Sequence, residues 1–239
     1  MALTKVTNSL LDLPVKTFGT SSIMIGDTTT GTIDAANYNV GVGVDVFAAL
    51  TTGDGNVALG YQALSSNTTG NNNIAIGRGT GDAVTTTFGL TAIGHGAAGA
   101  TTAGVTTAVG YTALTANTTG TYNTGLGAYA LQANTTASAN TAVGYVSMYA
   151  NTTGAQNVAM GYGSLDANTT ANNNTAIGYN GVAVGSGALS SNTTGARNHA
   201  IGTFSMANNV SGDYNTAVGY GALNQSTVSQ NTAVGYEAM

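Results

Sequence analysis

Asn140-Thr141-Ala142-Val143-Gly144-Tyr145-Val146-Ser147-Met148-Tyr149-Ala150-Asn151-Thr152-Thr153-Gly154-Ala155-Gln156 is a seventeen-residue word, and at Asn157 the chain begins it again. Its opening Asn-Thr-Ala-Val-Gly returns at Asn215 to Gly219, and the word can be followed outward in both directions on its fifth residue. The anchoring glycines are Gly43, Gly60, Gly77, Gly94, Gly110, Gly127, Gly144, Gly161, Gly178, Gly185, Gly202, Gly219 and Gly235, at steps of 16 or 17 residues. The one exception, seven residues from Gly178 to Gly185, reads as a shortened turn. A fixed period of this size is the signature of a stacked-repeat architecture.

The residue before each anchor is always aliphatic, from Val42, Leu59 and Ile76 through Val143 to Val234, and an unbroken apolar column predicts an interior. Four residues after the anchor stands a second apolar column: Phe47, Leu64, Leu114, Leu131, Met148, Leu165, Leu189, Met206, Leu223 and Met239. Two short apolar words per period are too little for a helix pair, so each period is expected to form two short strands joined by turns, one rung of a parallel β-solenoid. About thirteen such turns at about 4.8 Å per rung make an all-β rod on the order of 60 Å long. Strand alternation turns the alanines two before the anchor (Ala58, Ala75, Ala142, Ala176, Ala233) away from the aliphatic column. They are expected to form a flat small-residue face for close packing between chains. Asn140 and its equivalents, and Asn151 and its equivalents, are expected to stack as two ladders of side-chain amides.

Residues 1–37 lack the word, hold Lys5 and Lys16 and contain the apolar Leu10, Leu11 and Leu13, which together predict a capping or attachment segment ahead of a repeat domain over 38–239. This start has no continuous apolar stretch and does not read as a signal peptide or membrane span. At the other end Met239 stops where Asn-Thr-Thr-Gly is due, leaving an open rung for a partner or marking a fragment. Four Lys or Arg stand against nine Asp or Glu among 239 residues, a formal charge of -5, so nucleic acid and membrane insertion are not expected. Cysteine is absent, which removes disulfides and thiolate metal sites.

The words Asn73-Ile74-Ala75-Ile76-Gly77, Asn157-Val158-Ala159-Met160-Gly161 and Asn140 to Gly144 resemble the repeat of the head domains of trimeric autotransporter adhesins. That resemblance implies a parallel β-roll trimerised along its length. The opening Ala2-Leu3-Thr4-Lys5-Val6-Thr7-Asn8 resembles the start of bacteriophage tail-fibre and related virion proteins, which implies assembly in the host cytoplasm and a place in the virion. A cell-surface or extracellular location is the alternative.

The sequence offers no catalytic triad, metal cluster or cofactor motif, so neither enzyme activity nor a cofactor is expected. His95 falls in the column held by Tyr61, Tyr111, Tyr145, Tyr162, Tyr179, Tyr220 and Tyr236 and reads as a simple substitution, as does His199 in place of the usual Thr. The tyrosines suit sugar stacking, but packing is the plainer account. Asp27, Asp34 and Asp45 suit calcium less well than ordinary turns, and the Asn-Thr-Thr sequons read as ladders rather than glycosylation sites.

The expectation that follows is a structural virion component, a homotrimeric tail-fibre or fibre-base subunit. It docks on other virion proteins through residues 1–37 and meets a host-surface glycan or protein along its rod. The alternatives are a bacterial adhesin head fragment and a monomeric surface- or ice-binding solenoid. The last would use the paired threonines at Thr68 and Thr69, Thr118 and Thr119, Thr135 and Thr136, and Thr152 and Thr153, with a gap expected where Val84 and Thr101 replace Asn.

Overall fold

The computed structural model describes residues 15–19, 21–26, 35–177 and 188–239. These form an all-β parallel solenoid without a helix. Its fourteen strands lie in one sheet in chain order. β1 (Val15–Phe18) pairs antiparallel with β2 (Ser22–Gly26), and every later pairing is parallel. The stacked series runs β3 (Val40–Gly43), β4 (Val57–Leu59), β5 (Ile74–Ile76), β6 (Thr91–Ile93), β7 (Thr107–Val109), β8 (Thr124–Leu126), β9 (Thr141–Val143), β10 (Val158–Met160), β11 (Thr175–Ile177), β12 (His199–Ile201), β13 (Thr216–Val218) and β14 (Thr232–Val234). The ladder reaches back to β2, where Ile23 pairs with Val40 and Gly26 with Gly43.

From β3 to β14 there are about eleven turns rather than thirteen. β11 pairs directly with β12, Thr175 opposite His199, so the seven extra residues are an insertion within one coil and add no rung of their own. Leu10, Leu11 and Leu13 lie outside the described residues.

Each coil holds one strand, not two. In the other limb the second apolar column takes left-handed backbone angles, φ 52° at Leu131 and 50° at Met148, which no strand accommodates. This column is fully buried, except that Met239 at the end is exposed.

The expected assignment of inside and outside is reversed for the strand. Ala142 and its equivalents are completely buried, while the aliphatic residues beside them face outward: Val42, Leu126 and Met160 are 40%, 46% and 41% exposed, and Val143 is half-buried. The reason is the width of the coil. Seventeen residues enclose so little space that a Leu or Met from the far limb fills it, and only a methyl group fits opposite. Where the filler is Phe47, even that is too much: a Cβ on Gly41 would lie 3.0 Å from the Phe47 ring. Gly125 likewise faces Leu114, at 3.2 Å from such a Cβ. The alanines therefore line the core, and the small-residue face expected between chains does not exist.

The anchor glycines fix the close stacking of rungs. Gly144 has φ +134°, and a Cβ there would fall 2.4 Å from the carbonyl oxygen of Gly161 on the next rung. Only glycine combines that angle with that approach.

Candidate functional site

Both asparagine columns are buried, but they work differently. In the first, side chains bond backbone: Asn140 Oδ1 accepts the Asn157 backbone N–H at 2.9 Å, and Asn140 Nδ2 donates to the Gly154 carbonyl at 2.9 Å. The expected side-chain to side-chain ladder is the second column. There Asn151 Nδ2 donates to Asn134 Oδ1 at 2.9 Å and to the Gly154 carbonyl, while Asn151 Oδ1 accepts from Asn168 Nδ2 at 2.7 Å. These columns satisfy the turn backbone that the sheet cannot reach. They also occupy, deep in the coil, the very nitrogen a glycan would need.

Three columns remain on the outside. The aliphatic column lies on the outer face of the sheet, flanked on one side by the Thr, Val and Ile residues at the first strand position. On its other side, just past the anchor glycine, stand the aromatic residues. Tyr145 and Tyr162 stack with ring centroids 5.4 Å apart and 22° between planes, and Tyr220 and Tyr236 at 5.1 Å and 9°. His95 joins this stack against Tyr111 at 5.2 Å and 13°. Tyr129 meets Tyr111 and Tyr145 edge to face, at 68° and 86°, so the rings along this side are engaged with one another, which favours packing over sugar stacking.

The third exposed column is threonine. Thr118 Oγ1 donates to the Thr135 carbonyl at 3.0 Å, and Thr135 and Thr152 repeat the bond one coil on. The expected gap is absent, because Thr85 and Thr102 fill the column: Thr68 Oγ1 donates to the Thr85 carbonyl and Thr102 Oγ1 to that of Thr118. The asparagine lapses there at Val84 and Thr101, and the second threonine at Ala103.

Among the described residues no three His, Cys, Asp or Glu side chains converge to hold a metal ion, and no helix is long and apolar enough to cross a membrane. Asp45 accepts from Gln62 Nε2 at 3.4 Å; Asp27 and Asp34 lie outside the described residues. Two carboxyls are perturbed. Burial pushes those of Asp82 and Asp166 above the usual aspartate range, against the lowering effect of backbone hydrogen bonds. Asp166 Oδ1 is buried without a hydrogen-bond partner.

The repeat departs from its pattern most in the two coils that begin with β5 and β6. Arg78 and His95 replace tyrosine, Gly81 and Ala98 replace the core Leu, and Val84 and Thr101 replace Asn. The core is refilled from elsewhere: Leu90, standing where other coils carry Asn, is fully buried and lies against the space over Gly81. Outside, Arg78, Asp82 and His95 line an open depression of about 890 Å³. No protein-family model, no curated protein and no solved structure matches the chain.

Proposed function

We propose that the chain is a structural rod, a fibre or fibre-base subunit of a virion, that assembles into a homotrimer through the outer face of its sheet. Residues 1–37 attach it to other virion proteins, and the rod serves as a stiff spacer and host-contact element without catalytic activity. The observation that carries this reading is the aliphatic column standing outward along the whole solenoid. Eleven steps of about 4.8 Å by the five residues from the first strand position to the aromatic column, at about 3.3 Å each, give roughly 850 Å². That matches the roughly 800 Å² each partner buries in a stable interface. Repeat geometry supports parallel, in-register association, since identical rungs present identical patches at every level, and the number three comes from the adhesin resemblance. The resemblance to trimeric adhesin heads and to tail-fibre openings agrees with it.

Light scattering of the purified chain tests the proposal. A mass near three times 23.5 kDa is expected, falling to one chain when Leu126 and Met160 are both changed to Ser. A wild-type mass of one chain at high concentration overturns it.

The threonine column, unbroken from Thr51 to Thr193 and ended by Val210, favours a second reading, a monomeric solenoid that binds an ordered surface. Its weakness is that the first threonine hydroxyl of nearly every pair, Thr85 excepted, already donates within the rod. A monomeric mass together with ice-growth inhibition would support it over the fibre.

A further inference from the structure

The departures in the two coils from β5 to β7 coincide on one side of the rod, and they coincide with chemistry. The described part of the chain has two arginines and two histidines. One of each, Arg78 and His95, stands at adjacent rungs on the rim of the same depression. The Arg78 guanidinium carbon lies 5.8 Å from the centre of the Tyr61 ring, and His95 is held flat against Tyr111, so both cationic and imidazole heads are braced by aromatic neighbours. Asp82 is half-buried between them, with no ion pair to Arg78.

The floor is open where glycine stands two residues past the anchor, as it also does at Gly163 and Gly221; what sets these coils apart is Arg78 and His95 beside it. Gly79 and Gly96 occupy the position of Gln62, Thr112, Tyr129 and Val146, all of which adopt the same left-handed backbone, φ 58° at Gln62 and 49° at Thr112 against 59° and 64° at the glycines. Space does not require glycine either. A Cβ on Gly79 would meet nothing nearer than Asp82 Oδ2 at 4.0 Å, and one on Gly96 nothing nearer than Thr112 Cγ2 at 3.5 Å. Gly79 leaves the Asp82 carboxyl uncovered, and Gly96 opens the neighbouring floor toward Thr115.

We infer that this depression is a binding site for an acidic saccharide, whose carboxylate pairs with Arg78 and whose hydroxyl groups meet Asp82, Gln62 and Thr115. A guanidinium is the side chain best shaped to hold a carboxylate in two parallel hydrogen bonds. A half-buried carboxyl that lacks a cation calls for hydroxyl donors, and burial has already raised it above its ordinary range. Apart from Ala83, Ala100 and three glycines, the rest of the lining is amide, hydroxyl and imidazole, groups that donate and accept, with no large apolar side chain of the kind drug-like ligands fill. Arg78 and His95 stand in the column that bounds the proposed interface, while Asp82, Gln62 and Thr115 lie beyond it, so the site is complete in a single chain and stays open in an assembly where that edge is uncovered.

Full-length protein is titrated with methyl glucuronide and with methyl glucoside, which differ only in the carboxylate, while the imidazole signals of His95 and His199 are followed by NMR. The glucuronide is expected to shift His95 and leave His199 in place, with the glucoside weaker by about tenfold, the size of one charge-assisted hydrogen-bonded pair. Arg78→Tyr and Gly79→Gln each restore the residue that another coil carries, so the rod is retained, and each is expected to weaken the glucuronide by about tenfold or more. Arg197→Gln serves as the control and is expected to change nothing. Equal response to both sugars, a shift at His199 alone, full binding by Gly79→Gln, or no response to the glucuronide or to the methyl glycoside of N-acetylneuraminic acid would overturn the site.

Discussion

Gly144→Ala and Gly163→Ala make the same chemical change on neighbouring coils of one rod and should differ severalfold in cost. At Gly144 the backbone sits at φ +134°, a region that L-residues scarcely enter, and the added methyl group would lie 2.4 Å from one backbone atom of Gly161 and 2.6 Å from another. Backbone strain of this kind costs about 1–3 kcal/mol and overpacking about the same, together about 2–6 kcal/mol. The next rung must move away, and the hydrogen bond from the Gly161 N–H to the Val143 carbonyl, 2.7 Å long, is strained with it. At Gly163 the angle is +60°, and the nearest atom to a new Cβ is Asp166 Oδ2 at 3.9 Å. Alanine there pays about 1–2 kcal/mol for the left-handed conformation and recovers about 0.4–1 kcal/mol from the restricted unfolded chain, a net loss of about 0–1.5 kcal/mol. For a chain of this size 1 kcal/mol moves Tm by about 2–4 °C, so Gly144→Ala is expected to lower Tm by roughly 10 °C and Gly163→Ala by a few degrees at most. Stacked repeats can open locally, so amide exchange of Gly144 and Gly161 is measured beside the melt. Rapid exchange at those two amides and protection a few rungs away is the expected pattern. Two variants within about 1 kcal/mol of each other would refute the claim that rung spacing, rather than the turn conformation alone, fixes the anchor glycine.

Asn151→Ala removes two donated bonds and one accepted bond, leaving Asn134 Oδ1 without its donor while the Gly154 carbonyl keeps only Asn140 and Asn168 Nδ2 only the Ala171 carbonyl; a loss of about 2–4 kcal/mol in chemical denaturation is expected. Val146→Asn replaces a β-branched residue at φ 50° with one that tolerates that angle and is expected to add about 1 kcal/mol, read as a higher denaturation midpoint. The carboxyl of Asp166 is raised by burial above its unfolded value of 3.8, so its ionised form favours unfolding. Asp166→Asn is therefore expected to raise Tm at neutral pH, with the gain fading as pH falls through the raised folded value toward the unfolded one. A gain that grows on acidification would contradict that sign.

Period, strand position and anchor were legible in the word itself, because a seventeen-residue repeat with one aliphatic-glycine pair per turn admits few other folds. The direction of the side chains was not, and the reason is geometric. Bulk and hydropathy point Val143 inward and Ala142 outward when a strand is considered alone. In a coil this thin, however, the inner residue is chosen by what faces it, and Met148 and Leu131 leave room for a methyl group only. The clue lay within the one chain: Gly41 opposite Phe47 shows the strand position shrinking where the filler is largest. The same reasoning explains why the left-handed second limb was hidden. Leu, Met and Phe carry no sequence mark of positive φ, and they adopt it at position after position because burying the side chain in the only available core outweighs the roughly 1–2 kcal/mol of backbone cost. The departures at Arg78 and His95 were visible as single substitutions in a tyrosine column. Their meaning required the fold, which brings them onto one rim with Asp82 beneath Gly79, residues from three columns that no spacing rule connects. A repeat that refills its core with Leu90 while setting Arg78 and His95 where other coils carry tyrosine has kept the rung and changed what the rung displays.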